Sequence, residues 1–208
     1  MDHHSHQYEA LVLRTYDVGE ADRYCIFLTK ERGRIAARAS GVRRPMSRMG
    51  GSLLPFQHVT VSLKESSAGY IVAGVEHRAS VLSSDLTAFS QAEQGIELLL
   101  ALTEDEEPLP EVSDATLRFL QACGKTPAVA LGYTLCLLHL LGFLPEEENW
   151  QGAKTLTQPD REFLHAALAT RFTHPLPSPS TLRNLCRRLV HDQLQIGLKA
   201  EGVAGKLG

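Results

Sequence analysis

The feature that most constrains this fold is a change in the spacing of apolar residues near residue 80. Before that point the apolar residues form short runs, several of which alternate with polar residues, and this pattern predicts strands. From residue 85 they recur at three- and four-residue intervals, which predicts helices. We therefore predict an α+β protein with two domains, residues 1–80 and residues 81–208.

The first domain is predicted to contain five short strands separated by glycine-containing turn signals. Five strands in this length are typical of a small closed barrel of the OB or SH3-like kind. The predicted strands are Glu9–Tyr16, Asp22–Thr29, Arg34–Ser40, a segment around Val59–Leu63, and Gly69–Glu76.

The second domain is predicted to be helical throughout. Phe89 belongs to the apolar stripe of its first helix, and the third helix should end at Gly142, a residue type that often stops helices. Capping residues followed by proline mark several of the helix starts. The predicted starts are Asp85, Ser113, Thr126-Pro127, Thr157 with Pro159, and Ser178-Pro179.

Charge is distributed unevenly along the chain, although the net charge is only −3. Residues 23–48 contain eight basic residues and one acidic residue, whereas residues 86–208 contain 10 basic and 15 acidic residues. This asymmetry indicates nucleic-acid contact by the first domain, and a solvated charged face without a ligand is the alternative.

Arginines and tyrosines in the strand region are the candidate binding residues. Strand alternation places Arg34 and Arg38 on one exposed face, and the following loop adds further arginines. Arginine binds phosphate, and tyrosine rings can stack on unpaired bases. Phe27 and Phe56 are expected in the core. The candidate DNA-binding residues are Arg14, Arg23, Arg34, Arg38, Arg43, Arg44, Arg48, Tyr16 and Tyr24.

Signals of catalysis are lacking in the sequence. It contains no GxGxxG, GxSxG, HExxH or EF-hand pattern, and its four cysteines are widely spaced. Gly124-Lys125-Thr126 resembles the end of a phosphate-binding loop, but Phe119 occupies the position where the first glycine is needed. We therefore expect a binding protein with no catalytic residue, metal or cofactor.

The basic region also carries an ordered string of short motifs. Together they resemble the N-terminal domain of the bacterial RecO family of recombination mediators and DNA repair proteins. Leu140–Phe143 followed by Pro145 resembles the C-terminal domain of the same family. The N-terminal motifs are Arg14–Asp22, Phe27–Thr29, Gly33-Arg34, Ala39–Arg44, Ser47-Arg48 and Leu54–Phe56.

This resemblance implies an N-terminal OB-fold, a helical C-terminal domain and a role without a covalent chemical step. It further implies binding of single- and double-stranded DNA and annealing of complementary strands. The implied partners are RecR and single-stranded-DNA-binding protein, with RecA loaded indirectly. The implied location is the bacterial cytoplasm, in association with the nucleoid and not with a membrane.

The sequence departs from the RecO pattern at two places. Many relatives have a four-cysteine zinc module where this chain has Glu146–Trp150, so we predict no zinc. Some relatives have arginines on the central helix, where the acidic tail of single-stranded-DNA-binding protein docks, but this chain has Ala130–Tyr133. Arg183, Arg187 and Arg188 on the last helix offer an alternative basic patch, and a solvated face without a ligand is the other interpretation of these three residues.

Two other functions remain open at this point. An OB-fold barrel also suits RNA, and nothing in the sequence indicates recognition of a 2′-hydroxyl group. A basic loop could instead dock an acidic protein partner, in which case the protein would be an interaction adaptor.

Overall fold

The structure, a computed structural model, describes residues 5–83, 85–146, 154–173 and 180–204, with the side chains of the last range described for residues 181–195. The chain forms two compact units. The first, called here the barrel unit, comprises Met1–Ser84 and Thr103–Gln121. The second, the helical unit, comprises Asp85–Leu102 and Ala122–Gly208.

The strands and helices follow the predicted order. The strands are β1 (His6–Val18), β2 (Asp22–Thr29), β3 (Gly33–Ala39), β4 (Gln57–Ser66) and β5 (Gly69–Ser80). The helices are α1 (Leu86–Leu102), α2 (Pro110–Ala122), α3 (Val129–Leu140), α4 (Gln158–Leu168) and α5 (Ser180–Ala204).

The five strands form a closed barrel in the order β1-β2-β3-β5-β4. β3 and β5 pair in parallel, and every other neighbouring pair is antiparallel. This order confirms the predicted OB-fold. Strand β1 begins at His6, three residues earlier than predicted, because its first half pairs with β4 while its second half pairs with β2.

The barrel core follows the alternation of side chains along the strands. Ile35, Ala37 and Ala39 of β3 are fully buried, while the residues between them face outward. Phe27 and Phe56 are both buried, as predicted. Only one face of each strand can reach the inside of a closed barrel, so the opposite face is left for other contacts.

Helix α2 and the segment before it belong to the barrel unit. The sequence-based division at residue 80 assigns them to the helical domain instead. Leu11 and Leu28 are register partners on β1 and β2, and they line one small cavity together with Ser113 and Leu117 of α2. An apolar patch on the outer surface of the barrel therefore accounts for the grouping.

The backbone before α2 lies directly against β3. The Glu106 N–H donates to the Arg34 carbonyl at 2.8 Å, and Arg34 and Asp105 form a parallel bridge. Gly33 has a φ of +60°, and a Cβ atom there would lie 1.7 Å from the Glu107 carbonyl oxygen. This contact requires glycine both for its backbone conformation and for the space it leaves.

The helical unit is built around α3, most of whose residues are buried. Leu135 and Leu138 of α3 share one apolar cluster with Phe163 of α4 and Leu185 of α5. Thr157 caps α4 as predicted, and the structure shows that the arrangement is reciprocal with Asp160.

Three of the helix predictions require correction. Helix α3 begins at Val129, because the buried Gln91 side chain binds the Gly124 N–H at 2.8 Å and the Thr126 carbonyl at 2.9 Å. Those bonds hold the residues before α3 in a turn.

The second correction concerns Phe89, which is 48% exposed, because the buried face of α1 passes through Ala92 and Ile96 instead.

The third correction concerns α2, which begins at Pro110, three residues before Ser113. Proline at the first position suits a helix start, because that position donates no intrahelical hydrogen bond. The predicted start at Ser178-Pro179 lies outside the described residues.

Two glycine substitutions separate the effect of backbone conformation from the effect of close packing. Gly33→Ala should destabilise the protein by more than about 3 kcal/mol, because it adds a clash with Glu107 to an unfavourable φ. Gly19→Ala has a similar φ of +57° but open space around the added carbon, so about 1–2 kcal/mol is expected. Urea unfolding measures both, and equal losses would contradict this explanation.

Candidate nucleic-acid interface

Four exposed side chains form a continuous row across the outside of the barrel. Tyr16 of β1 is the register partner of Tyr24 of β2, and Tyr24 is the partner of Arg38 of β3. Arg38 in turn pairs with Ile71 of β5. Register partners on neighbouring strands point to the same face of a sheet. We call Tyr16, Tyr24, Arg38 and Ile71 the exposed row.

The side chains of the row are open to solvent. Tyr16 is 48% exposed, Tyr24 is 40% exposed and Ile71 is 40% exposed, and the Arg38 side chain is 57% exposed. Large apolar and aromatic groups at this exposure are unusual when they are contiguous. The row therefore presents two aromatic rings, a guanidinium group and an aliphatic side chain to solvent.

Sequence reasoning identified three of the four members and missed Ile71. Alternation within β5 indicates that Ile71 faces outward, because its neighbour Val72 is buried. Its position beside Arg38 depends on the parallel pairing of β3 with β5, which local patterns do not reveal. Lys64 of β4, the register partner of Ile71, is also exposed and extends the row by one strand.

Asp22 links Arg38 to the loop that follows β3. Its carboxylate lies 2.6 Å from the Arg38 Nη2 atom and also accepts the Gly41 N–H at 2.8 Å. The Gly41 hydrogen bond and, to a smaller extent, the Arg38 guanidinium lower the pKa of Asp22 below its ordinary value. The carboxylate thus fixes the base of the loop beside Arg38.

Arg23 and Arg43 hold this part of the barrel together. Arg23 donates to the Leu53 carbonyl at 3.0 Å and to Asp17 at 3.1 Å, and its side chain is only 15% exposed. Arg43 donates to the Gly19 carbonyl at 3.0 Å and also contacts Asp17. Both guanidinium groups are engaged within the protein, where they hold the β1–β2 and β3–β4 loops in position.

Three other candidate arginines have different surroundings. Arg44 and Arg48 are exposed, and within the part of the chain that the structure describes neither side chain forms an ion pair. Arg14 is half-buried and is the register partner of Ile26. Arg44 and Arg48 are therefore the loop cations that are most accessible to a polyanion.

Arg34 does not join the exposed row. Its side chain is 16% exposed, and its Nε atom lies 2.5 Å from a carboxylate oxygen of Asp105. Arg34 and Arg38 share the outer face of β3, as the alternation predicts, but the segment before α2 lies beside Arg34 only. The predicted pair of phosphate-binding arginines is thus divided between two environments.

The four cysteines have environments unsuited to nucleophilic chemistry. All four are buried, and burial raises the pKa of Cys25 and Cys136 to about 11 and that of Cys123 and Cys186 to about 12. Thiols with such pKa values stay protonated near neutral pH.

The segment Glu146–Trp150, where we predict no zinc, lies for the most part outside the described residues.

The helical unit contains a groove between α1, α3 and α5 with a volume of about 630 Å³. Apolar residues such as Leu98, Leu131 and Val190 line it, and Arg183 and Arg187 of α5 lie along it. Ala130 and Leu131 of α3 line the same groove as the α5 arginines, although the two stretches are distant in sequence. No helix of the described residues is apolar and long enough to cross a membrane.

The titration of Asp22 tests its link to Arg38. Arg38→Ala should raise the pKa of Asp22, although only in part, because the larger effect of the Gly41 hydrogen bond remains. Since folding lowers this pKa, the stability it confers is present above the unfolded-state pKa and is lost as the pH falls through the folded value. Carboxyl-carbon NMR titration measures the change, and Arg48→Ala is the control that should leave Asp22 unaltered.

Comparison with known proteins identifies the family of the chain. Residues 1–79 match the family described as "Recombination protein O N terminal". A protein of Myxococcus xanthus named "DNA repair protein RecO" is 33% identical over 147 residues, covering 68% of this chain and 60% of the relative.

Two further relatives carry the same name. The protein of Bifidobacterium longum is 35% identical over 146 residues, covering 66% of this chain and 61% of the relative. That of a Nocardioides species is 56% identical over 57 residues, covering 27% of this chain and 23% of the relative. The chain thus spans about 60% of the length of the first relative. The motifs of its first domain, its OB-fold barrel and these matches show that the chain belongs to the RecO family.

Proposed function

We propose that this protein is a DNA repair protein that binds DNA along the exposed row of its barrel. The observation that carries the proposal is the alignment of Tyr16, Tyr24 and Arg38 on three neighbouring strands. The β2–β3 face is where OB-folds commonly bind oligonucleotides. The shared name of the relatives, "DNA repair protein RecO", supports DNA as the polymer.

The chemistry of the row suits unpaired bases. Neighbouring strands lie about 4.8 Å apart, so the rings of Tyr16 and Tyr24 can serve successive bases of one strand. Every base has a face that can stack, so this contact does not depend on sequence. Ile71 adds apolar surface at the far end of the row.

Phosphate contacts come from the row and from the adjoining loop. Arg38 lies within the row, while Arg44 and Arg48 occupy the exposed loop after β3. Arg23 and Arg43 position that loop through their bonds to backbone carbonyls. Contacts to the backbone are independent of sequence, which suits a protein that must act at any site of damage.

Annealing and mediation follow from the same surface. A cationic face that neutralises phosphates reduces the repulsion between two complementary strands. We propose, as the family resemblance implies, that the protein anneals such strands and acts with RecR in loading RecA. Its contribution is binding and positioning, without a covalent step, in the bacterial cytoplasm at the nucleoid.

The groove of the helical unit fits an acidic peptide with apolar side chains. Its walls are apolar, and Arg183 and Arg187 provide positive charge. We propose that the acidic tail of single-stranded-DNA-binding protein docks there. The α5 arginines would replace those that some relatives have on the central helix.

Binding of a labelled single-stranded oligonucleotide tests the exposed row. Tyr16→Ala and Tyr24→Ala should each weaken binding roughly 5- to 150-fold, because a stacked base contributes about 1–3 kcal/mol. Tyr24→Phe keeps the ring and should bind nearly as the parent does. Fluorescence anisotropy across a salt series provides the affinities.

The same salt series tests Arg38. Arg38→Ala should reduce the logarithmic salt slope by about 0.7, the value for one phosphate neutralised on a single strand. Arg171→Ala removes an exposed arginine of the helical unit and should leave the slope unchanged. Folded variants that bind as the parent does would refute DNA binding at the exposed row.

Two further measurements separate the alternative functions. Matched DNA and RNA oligonucleotides compete for the same site, and a clear preference for RNA would favour an RNA-binding protein. Weak binding of both polymers at low salt would favour an adaptor whose basic loop binds an acidic protein.

Peptide binding tests the groove in the helical unit. Arg183→Glu/Arg187→Glu should weaken binding of the acidic tail peptide by on the order of tenfold, because each reversal replaces attraction with repulsion. Arg171→Glu/Arg188→Glu is the matched control, because it reverses the same number of exposed charges in the helical unit at positions that do not line the groove. Equal losses in the two variants would show that only the overall charge matters.

A further inference from the structure

Three cations at the turn between β2 and β3 are each paired with a carboxylate from residues 105–114. Lys30 lies 2.6 Å from Asp114, Arg32 lies 2.7 Å from Glu106, and Arg34 lies 2.5 Å from Asp105. We call Lys30, Arg32 and Arg34 the basic hairpin, and Asp105, Glu106 and Asp114 the acidic partners. All six residues belong to the barrel unit.

The acidic partners are accessible to solvent and therefore exchangeable. The side chains of Asp105, Glu106 and Asp114 are 60%, 50% and 52% exposed. The Lys30 and Arg32 side chains are 45% and 38% exposed, so their ion pairs contribute little to stability and are screened by salt. The Arg34 side chain is 16% exposed, so its pair with Asp105 is screened less. A phosphate group accepts hydrogen bonds from the same guanidinium and ammonium donors, so it can compete directly with these carboxylates.

The backbone of Asp105 and Glu106 need not move for this exchange. The Glu106 N–H donates to the Arg34 carbonyl, and the Glu107 carbonyl packs on Gly33. Rotation of the Asp105 and Glu106 side chains alone would free their positions beside the cations. This attachment also keeps the carboxylates at a high local concentration, so only a dense polyanion would compete well with them.

Arg32 is oriented by a group other than a carboxylate. Its guanidinium donates to the Tyr70 hydroxyl at 2.5 Å and lies 5.9 Å from the centre of the Tyr70 ring. The Tyr70 hydroxyl donates in turn to Glu106 and to Glu65, each at 3.2 Å, so Glu65 still holds Tyr70 when the Glu106 side chain rotates. The cation would therefore remain in place for a phosphate after the Glu106 carboxylate has turned away.

We propose that the basic hairpin is a second phosphate-binding surface of the barrel unit, and that the acidic partners are its internal competitors. This inference rests on the proposed function, since its ligand is the backbone of a nucleic-acid strand. While the carboxylates are in place, a bound strand is confined to the exposed row and its loop. Displacing them opens the basic hairpin to a further length of backbone or to a second strand.

Two double variants with equal loss of charge test this proposal. Asp105→Asn/Glu106→Gln removes carboxylates that pair with the basic hairpin. Glu104→Gln/Glu111→Gln removes two exposed carboxylates from the same stretch, and neither of these pairs with a basic side chain among the described residues. Anisotropy of a labelled single-stranded oligonucleotide is measured for both across a salt series, and thermal unfolding checks that both fold.

The first variant should bind more tightly than the second and with a steeper salt slope. The expected difference in slope is about 0.7 for each cation released, or about 1.4 for both. Adding Arg32→Gln/Arg34→Gln to the first variant should return its slope to that of the second. Equal slopes in the two acidic variants would overturn the proposal, because the gain would then reflect net charge alone.

Failure of this inference is distinguishable from failure of the proposed function. Tyr24→Ala in the otherwise unaltered protein reports on the exposed row. If Tyr24→Ala weakens DNA binding while the two acidic double variants have equal salt slopes, the second surface is rejected and the exposed row is retained. If Tyr24→Ala leaves DNA binding unchanged while the salt slopes of the two acidic double variants differ, the exposed row is rejected and the basic hairpin is retained.

Discussion

Closure of the barrel by the parallel pairing of β3 with β5 is the constraint on which the rest of the structure depends. Closure leaves each strand with one face inside and one outside, which is why β3 carries small apolar residues on one side and arginines on the other. It also places Ile71 beside Arg38. The exposed row exists because strands that are distant in sequence become neighbours in the barrel.

Much of this arrangement could be predicted from local sequence, but the partners of the charged residues could not. Period-two alternation correctly placed Arg34 and Arg38 outside the barrel, and the Thr157 cap marked the start of α4. Nothing local indicates that Asp105 pairs with Arg34 across 71 residues. The prediction that Phe89 belongs to the buried face of α1 was wrong. The spacing of apolar residues along a helix does not distinguish a residue at the edge of the apolar face from one at its centre.

Counting the basic residues in 23–48 overestimates the positive charge that is available to bind a ligand. Much of this positive charge is balanced by carboxylates of the same chain, among them Asp17, Asp22 and Asp105. A charge that is already paired must exchange partners before it binds a ligand, so its contribution to affinity is reduced. Accessible cations and exposed aromatic rings therefore describe the interface better than net charge does.

The contact of Gly33 with the segment before α2 has a consequence for how the protein is made. The chain leaves the barrel unit after residue 84 and returns to it at residue 103. During synthesis, the strands emerge well before the helix that covers Leu11 and Leu28. The barrel unit is thus discontinuous in sequence, and its last contacts must wait until residue 121 has left the ribosome. Folding on the ribosome cannot be completed strictly from the N-terminus, one unit at a time.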